Sequence, residues 1–291
     1  MTTRFQSAAI IGTGLLGASL GLALKERRLA EVVHGVGRRQ SSLDIALERG
    51  AIDHGHLDVE AAIQTADLIV ICTPAGSVPA MLDLVLKSAK PNAIVTDVTS
   101  TKRTICTHAA HTWPTPRRFI GSHPMAGSEN FGPEHAVSDL YDGRYVLVES
   151  GAGLDDAAHL AVIALWEAVG AIVSDIDPAE HDRLLARTSH VPHIASAAIA
   201  MLTHGESDLR PFAGGGFKDI TRVAAGRPEL WRDICLTNSD SVSKTLDDLM
   251  SVLQQFKDAV AQKDTDQLDR LFEDGRQARL DVFDQDAGDA S

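Results

Sequence analysis

The chain has 291 residues, 44% of them hydrophobic and 4% aromatic, enough for two domains of ordinary size with buried cores. Its formal net charge of -13 argues against a nucleic-acid partner, because neutralising phosphates takes basic patches, and it obliges any anionic ligand to find a local cluster of Arg, Lys or helix N-termini. No eighteen consecutive apolar residues occur and the N-terminus lacks the apolar core of a signal peptide, so no membrane segment is expected and a cytoplasmic globular protein is.

Residues 7–11 form a short apolar strand that runs into Gly12-Thr13-Gly14-Leu15-Leu16-Gly17 and then into a helical pattern over 18–25. Strand, glycine turn and helix together are the context that gives a G-x-G-x-x-G motif meaning. Gly12 makes the tight turn, Gly14 lets the backbone touch a pyrophosphate, and Gly17 allows close packing of helix on strand. A second strand over 32–36 ends in Gly37-Arg38-Arg39. An acidic residue at that point would hold the ribose hydroxyls of NAD; two arginines could instead receive the 2′-phosphate of NADP, so NADP is expected in preference to NAD. Exposed arginines at a strand end are also commonplace.

Alternation continues. Residues 66–72 are nearly all apolar, as in a parallel strand buried on both faces. Thr73-Pro74-Ala75 ends the run, and a helix is expected from about 78 to 88. Residues 93–97 form another strand, after which Ser100 or Thr101 is positioned to cap a following helix. The strand 119–120 precedes the loop Gly121-Ser122-His123-Pro124-Met125-Ala126-Gly127-Ser128-Glu129. A histidine there can act as a base near neutrality, although a surface loop that happens to hold one of twelve histidines is the plain alternative. Ligands of open parallel sheets sit beyond the carboxyl ends of the strands, so the turns at Gly12, Thr73, Ser100 and His123 should converge on one crevice. Strands over 145–148 and 171–173, with a helix at about 155–169 between them, complete the sheet.

From Pro178 onward the pattern is helical throughout. One long element over 179–204 carries His190 and His193 on one face, with a kink expected at Pro192. The pair could ligate a metal, particularly with Glu180-His181 upstream, but no HExxH spacing occurs, a kinked helix often buries a satisfied histidine, and no metal is expected. Gly214-Gly215-Gly216 makes a flexible break, after which Lys218 and Arg222, four apart, give two cations on one face; a solvated face is the alternative. Pro228 opens a further helix, Asn238-Ser239 caps a longer one to about 262, a last helix spans about 265–283, and the polar tail 284–291 should fray. The three cysteines, Cys72, Cys106 and Cys235, are far apart and odd in number, so reduced thiols are expected. These readings give an α/β chain with a doubly wound, mainly parallel Rossmann-type domain over 1–176 and an all-helical domain over 177–291. The leucine- and alanine-rich helical half suggests a homodimer.

The glycine motif, residues 97–102, the His-Pro-Met-Ala-Gly segment at 123–127 running on to Glu129, Ser189-His190-Val191-Pro192-His193, and Phe217-Lys218-Asp219-Ile220-Thr221-Arg222 followed by Trp231-Arg232-Asp233 together resemble the prephenate and arogenate dehydrogenases of tyrosine biosynthesis. The resemblance spans nearly the whole chain, and the two longer segments are its specific part. It implies oxidative decarboxylation of a cyclohexadienol, either prephenate or arogenate, in which hydride passes to NAD(P)+ as CO2 departs and the ring becomes aromatic. By the same resemblance His123 accepts the hydroxyl proton, Ser100 orients that hydroxyl and the nicotinamide, and Arg222 grips a substrate carboxylate, with Lys218 and His193 nearby and Glu129 gating or ordering the site. Gly12, Gly14, Leu15, Leu16, Gly17, Thr73, Pro74 and Ser100 would line the cofactor, with Arg38 and Arg39 at its ribose. Two departures stand out. Gly37-Arg38 replaces the acid of NAD-using members, and no ACT or mutase module follows the helices, so regulation through one is not expected. The alternatives are a β-hydroxyacid or imine dehydrogenase, and a regulator that senses NAD(P) without catalysis.

Overall fold

A computed structural model describes residues 4–127 and 130–283. The first half alternates strand and helix: β1 (Phe5–Ile11), α1 (Leu15–Glu26), β2 (Ala30–Val36), α2 (Gln40–Glu48), β3 (His54–His56), α3 (Val59–Ile63), β4 (Leu68–Ile71), α4 (Val78–Ser88), β5 (Ile94–Asp97), α5 (Arg103–Thr112) and β6 (Phe119–Ile120). The six strands form one parallel sheet in the order β3-β2-β1-β4-β5-β6. This is the doubly wound dinucleotide-binding order, with its crevice where β1 and β4 lead away in opposite directions. Successive residues of β1 serve opposite cores: Ala8 and Ile10 face one apolar layer, Ala9 and Ile11 the other. That is why these strands read as continuous apolar runs.

Gly121 ends the large sheet. The chain then pairs in a second, three-stranded sheet made of β7 (Ser122–Pro124), β8 (Tyr145–Glu149) and, after α6 (Asp156–Ala168), β9 (Ile172–Ile176), with β7 antiparallel and β9 parallel to β8. The expectation of one continuous sheet is corrected here. So is the expected loop at His123, which pairs with Leu147 inside β7 and is only 7% exposed. Expected from no pattern was the edge pair β3 and α3, since three residues of His-Gly-His carry no apolar alternation.

Helices follow: α7 (Pro178–Leu185), a π turn (Ala186–His190), α8 (Val191–Met201), α9 (Gly215–Thr221), α10 (Pro228–Thr237), α11 (Ser239–Gln262) and α12 (Thr265–Phe283). The expected kink is a full π turn ahead of Pro192, a feature that often marks functional positions in helices. The triple glycine is not a break throughout: Gly214 caps α9 while Gly215 and Gly216 are its first residues. By compactness the chain divides at residue 241 into Met1–Ser241 and Val242–Ser291. Within the second unit Phe256 and Phe272 meet edge to face, with ring centroids 5.2 Å apart, while Met250, Leu253, Val260, Phe272, Val282 and Phe283 stay exposed. No helix among the described residues is long and apolar enough to cross a membrane, and all three cysteines are free thiols. The tail 284–291 lies outside the described residues.

Candidate active site

The glycine turn has the geometry its residues imply. Gly12 adopts φ +107°, and a Cβ there would lie 2.6 Å from the Cys72 carbonyl oxygen; at Gly17 it would lie 2.1 Å from the Gly12 oxygen. At Gly14 a Cβ would meet nothing within 4 Å, and this residue caps α1 without a side-chain hydrogen bond or an acid in the first turn. The N–H groups of Leu15, Leu16 and Gly17 are thus free of intrahelical partners and point, with the positive helix end, into open space suited to a pyrophosphate. Past β2, a side chain at Gly37 would press on Leu43 at 3.1 Å and on the Thr13 hydroxyl at 3.3 Å. Glycine there leaves Arg38 and Arg39 exposed at the start of α2. The dinucleotide therefore fits this end of the sheet.

On the other side of the crevice, Thr73 accepts a hydrogen bond from the Ser77 hydroxyl, and the Gly76 N–H after Pro74 donates to Asp233 on α10 at 2.9 Å. This turn is so tied to the helical α10. The loop after β5 holds Ser100, half-buried, above a buried ion pair: Lys102 Nζ donates to Asp97 Oδ2 at 2.5 Å with both side chains essentially inaccessible. Asp97 Oδ1 accepts from the Ser122 N–H at 3.0 Å, which pins β7 beside β5. A second buried pair, Arg117 with Glu149, also receives the Gly121 N–H. Neither Ser100 nor Thr101 caps α5. Asp182 does, accepting from the N–H of Lys102 at 2.8 Å and of Arg103 at 3.1 Å.

Next to this cap lies His123. Its Nδ1 is 2.9 Å from His181 Nε2, and His181 Nδ1 is 2.7 Å from Asp182 Oδ1. Burial holds His123 well below the usual histidine value, and His181, Lys102 and His190 push the same way. His181 is lowered too, burial outweighing the carboxylate of Asp182. His190, pushed down to about 4 by burial against the opposing effects of Asp182 and the Ser100 backbone, receives the Asn238 amide at 3.2 Å. That amide also donates to the Asp182 carbonyl, so Asn238, expected only as a helix cap, braces this cluster. His193 stacks on Trp231, ring centroids 3.4 Å apart, and a Cβ on Gly226 would touch both rings within 3 Å.

The turn beginning at Arg222 packs on α8, which brings Arg222 and His193 into one neighbourhood. Lys218 and Arg222 are both exposed. Glu129 lies outside the described residues. Sequence reasoning named His181 only beside a discounted metal pair and Asn238 only as a helix cap, and it missed Asp182. The signal was weak: Asp177-Pro178 marks a helix start, but nothing local says that His181 meets a strand residue 58 positions back or that Asp182 meets the start of a helix 79 and 80 positions back.

Two family models cover this architecture, "Prephenate dehydrogenase, nucleotide-binding domain" over residues 20–175 and "Prephenate dehydrogenase, dimerization domain" over residues 177–274. The chain belongs to the prephenate dehydrogenase family. It is 31% identical to the prephenate dehydrogenase of Bacillus subtilis over 93% of this chain and 74% of that one. To the cyclohexadienyl dehydrogenase of Zymomonas mobilis it is also 31% identical, over 96% of each. Among solved structures, the prephenate dehydrogenase of A. aeolicus in complex with hydroxyphenyl propionate and NAD+ superposes with a TM-score of 0.89 at 27% identity, covering 97% of this chain and 100% of that one. The family's nucleotide-binding and dimerization parts meet between β9 and α7.

Proposed function

We propose that the chain catalyses the oxidative decarboxylation of prephenate or arogenate, giving 4-hydroxyphenylpyruvate or tyrosine, in tyrosine biosynthesis. The observation that carries this reading is a histidine held neutral by burial at the crevice of a dinucleotide-binding sheet. Both parts of a family dedicated to this chemistry surround it. When bound, the nicotinamide supplies the hydride acceptor. The free N–H groups at the start of α1 hold the pyrophosphate, and Leu15, Leu16, Thr73 and Pro74 line its path. Ser100 orients the substrate hydroxyl, and His123 takes the hydroxyl proton. A neutral imidazole is required for that, and burial supplies it. The oxygen's electrons would form the carbonyl as the neighbouring C–H bond breaks and its hydride passes to that acceptor; the C–CO2 bond then breaks, its electron pair enters the ring, the oxygen ends as a phenol, and loss of CO2 with aromatisation makes the step irreversible.

Arg222 binds a substrate carboxylate as a planar fork, Lys218 adds positive charge, and His193 on its Trp231 platform contacts the substrate, with Glu129, which lies outside the described residues, retained as a residue that gates or orders the site by family resemblance alone. We assign residues 1–176 to cofactor binding and 177–291 to substrate binding and dimerization, the protein acting as a homodimer. The cofactor is NADP in preference to NAD, supported by the exposed arginines and by a Gly37 where any side chain would crowd Leu43 and Thr13. An arginine-phosphate contact gives about 1–3 kcal/mol, so kcat/KM should favour NADP about tenfold to a hundredfold and Arg38→Asp should reverse the order. Initial rates on both substrates with both cofactors test the whole reading. Absence of turnover with either substrate would remove it, and a wild-type preference for NAD would leave the arginines as solvated surface.

A further inference from the structure

We infer that His181 and Asp182 are positioning residues for the base: together they fix the tautomer of His123 so that its Nε2 carries the lone pair offered to substrate. The inference rests on the reading of His123 as that base.

The argument is a count of hydrogens. Asp182 accepts backbone N–H groups on both oxygens, from Lys102 on Oδ1 and from Arg103 on Oδ2, so both oxygens are engaged as acceptors. The 2.7 Å contact between Asp182 Oδ1 and His181 Nδ1 then requires that His181 donate from Nδ1. A neutral imidazole has a single N–H, which leaves His181 Nε2 as an acceptor. His123 Nδ1, 2.9 Å away, must donate to it. His123 Nε2 is left bare. Every nitrogen in the chain has one role, and the role of the last is set by a carboxylate two residues removed from it in the network.

The surrounding charges keep it so. His123 faces His181, Lys102 and His190, and His181 faces Lys102, Asp97 and Asp182. Lys102 is already paired with Asp97, so the two imidazoles remain neutral in the resting site. When the hydroxyl proton arrives on Nε2, His123 becomes an imidazolium whose Nδ1–H points at His181, and His181 in turn leans on the Asp182 charge. The O–H bond breaks, the new N–H bond forms on His123, and the proton goes to solvent once product has left. In the serine protease triad the same logic operates with one histidine, where removing the aspartate charge gives the wrong tautomer. Here a second histidine extends the reach from α7 to β7.

Three variants of the full-length protein test this in steady-state kinetics with prephenate and NADP+. Asp182→Asn is expected to lower kcat by about 100-fold to 10,000-fold, on the scale of misplacing a general base, with KM for substrate and cofactor little changed. Because Asp182 also caps α5, His181→Phe serves as the variant that spares the cap, and it should lose kcat to a similar extent. His181→Gln offers a carbonyl in place of the accepting nitrogen and should retain at least about tenfold more kcat than Phe; a role in filling space would rank them the other way. In a His123→Asn background, itself down about 100-fold to 10,000-fold, neither change should cost anything further, as for residues that act as a unit. Additive losses, or a rise in KM with kcat preserved, would overturn the positioning role while leaving His123 as base. A His123→Asn enzyme with undiminished kcat would overturn both.

Discussion

Arg222 begins a 3-10 turn, fully in solvent reach, at the point where that turn packs on α8. A guanidinium there can turn toward a carboxylate without first giving up a buried partner. Replacing Arg222 with Ala should weaken substrate binding by about 1.5–3 kcal/mol, the range for a hydrogen bond to a charged group. Cofactor affinity should be untouched, because the residue stands on the helical side of the crevice. Parallel titrations of substrate and NADP+ check this, and an equal loss of both would mean that the turn itself had collapsed. At this scale the sequence was legible where one residue's chemistry is enough. His123 between glycines and Arg222 after Lys218 could be singled out by type and spacing. What could not be seen is the pairing of His123 with His181, or of His193 with Trp231, 38 residues on. Those partners are chosen by the fold, since no periodicity relates a strand residue to a helix residue so far along the chain.

For elements, the glycine turn separates two needs that the motif writes alike. A methyl group on Gly14 meets open space, and the backbone there, φ -80° and ψ -163°, is available to any residue. Gly14→Ala should leave the thermal midpoint where it is and weaken the cofactor by about tenfold or more, since it intrudes only where a pyrophosphate approaches. Gly17→Ala drives a carbon to within 2.1 Å of the Gly12 oxygen, so it should lower both the midpoint and the affinity. Thermal scans with and without cofactor distinguish them; identical behaviour of the two variants would show that α1 shifts freely. The long buried strands and the βα alternation were readable because burial on both faces leaves an unbroken apolar run. The second sheet was not, for a different reason: β7 is three residues long, and tertiary bonds, among them those donated by the backbone N–H groups of 121 and 122 to Glu149 and Asp97, turn it away from β6. The cap of α5 misled for the same cause, a distant carboxylate replacing the local hydroxyl.

The molecule as a whole buries several neutral histidines, and this makes its stability depend on pH. His123, His181 and His190 all have values lowered on folding, so below the ordinary value near 6.5 the unfolded chain binds protons that the folded one refuses. Stability is full above that pH and falls as the pH drops through it. For His190, pushed to about 4, the loss should reach about 2 kcal/mol by pH 5. Thermal midpoints between pH 7.5 and 5 should therefore decline well above the range where carboxylates titrate. A flat profile to pH 5 would show that these histidines accept protons in place.

The two buried ion pairs, Lys102 with Asp97 and Arg117 with Glu149, bear on how such a chain can change over generations. Removing one partner strands a charge at a cost of about 3–5 kcal/mol, against a total stability of roughly 5–15 kcal/mol for a domain. Apolar side chains at both positions of a pair could be as stable, yet every single-step route to them passes through an ancestor that has lost a large share of that stability. These four positions are thus expected to be inherited in couples: a chimera whose joint between two relatives falls between residues 97 and 102, or between 117 and 149, stays folded only if the charges on the two pieces still correspond.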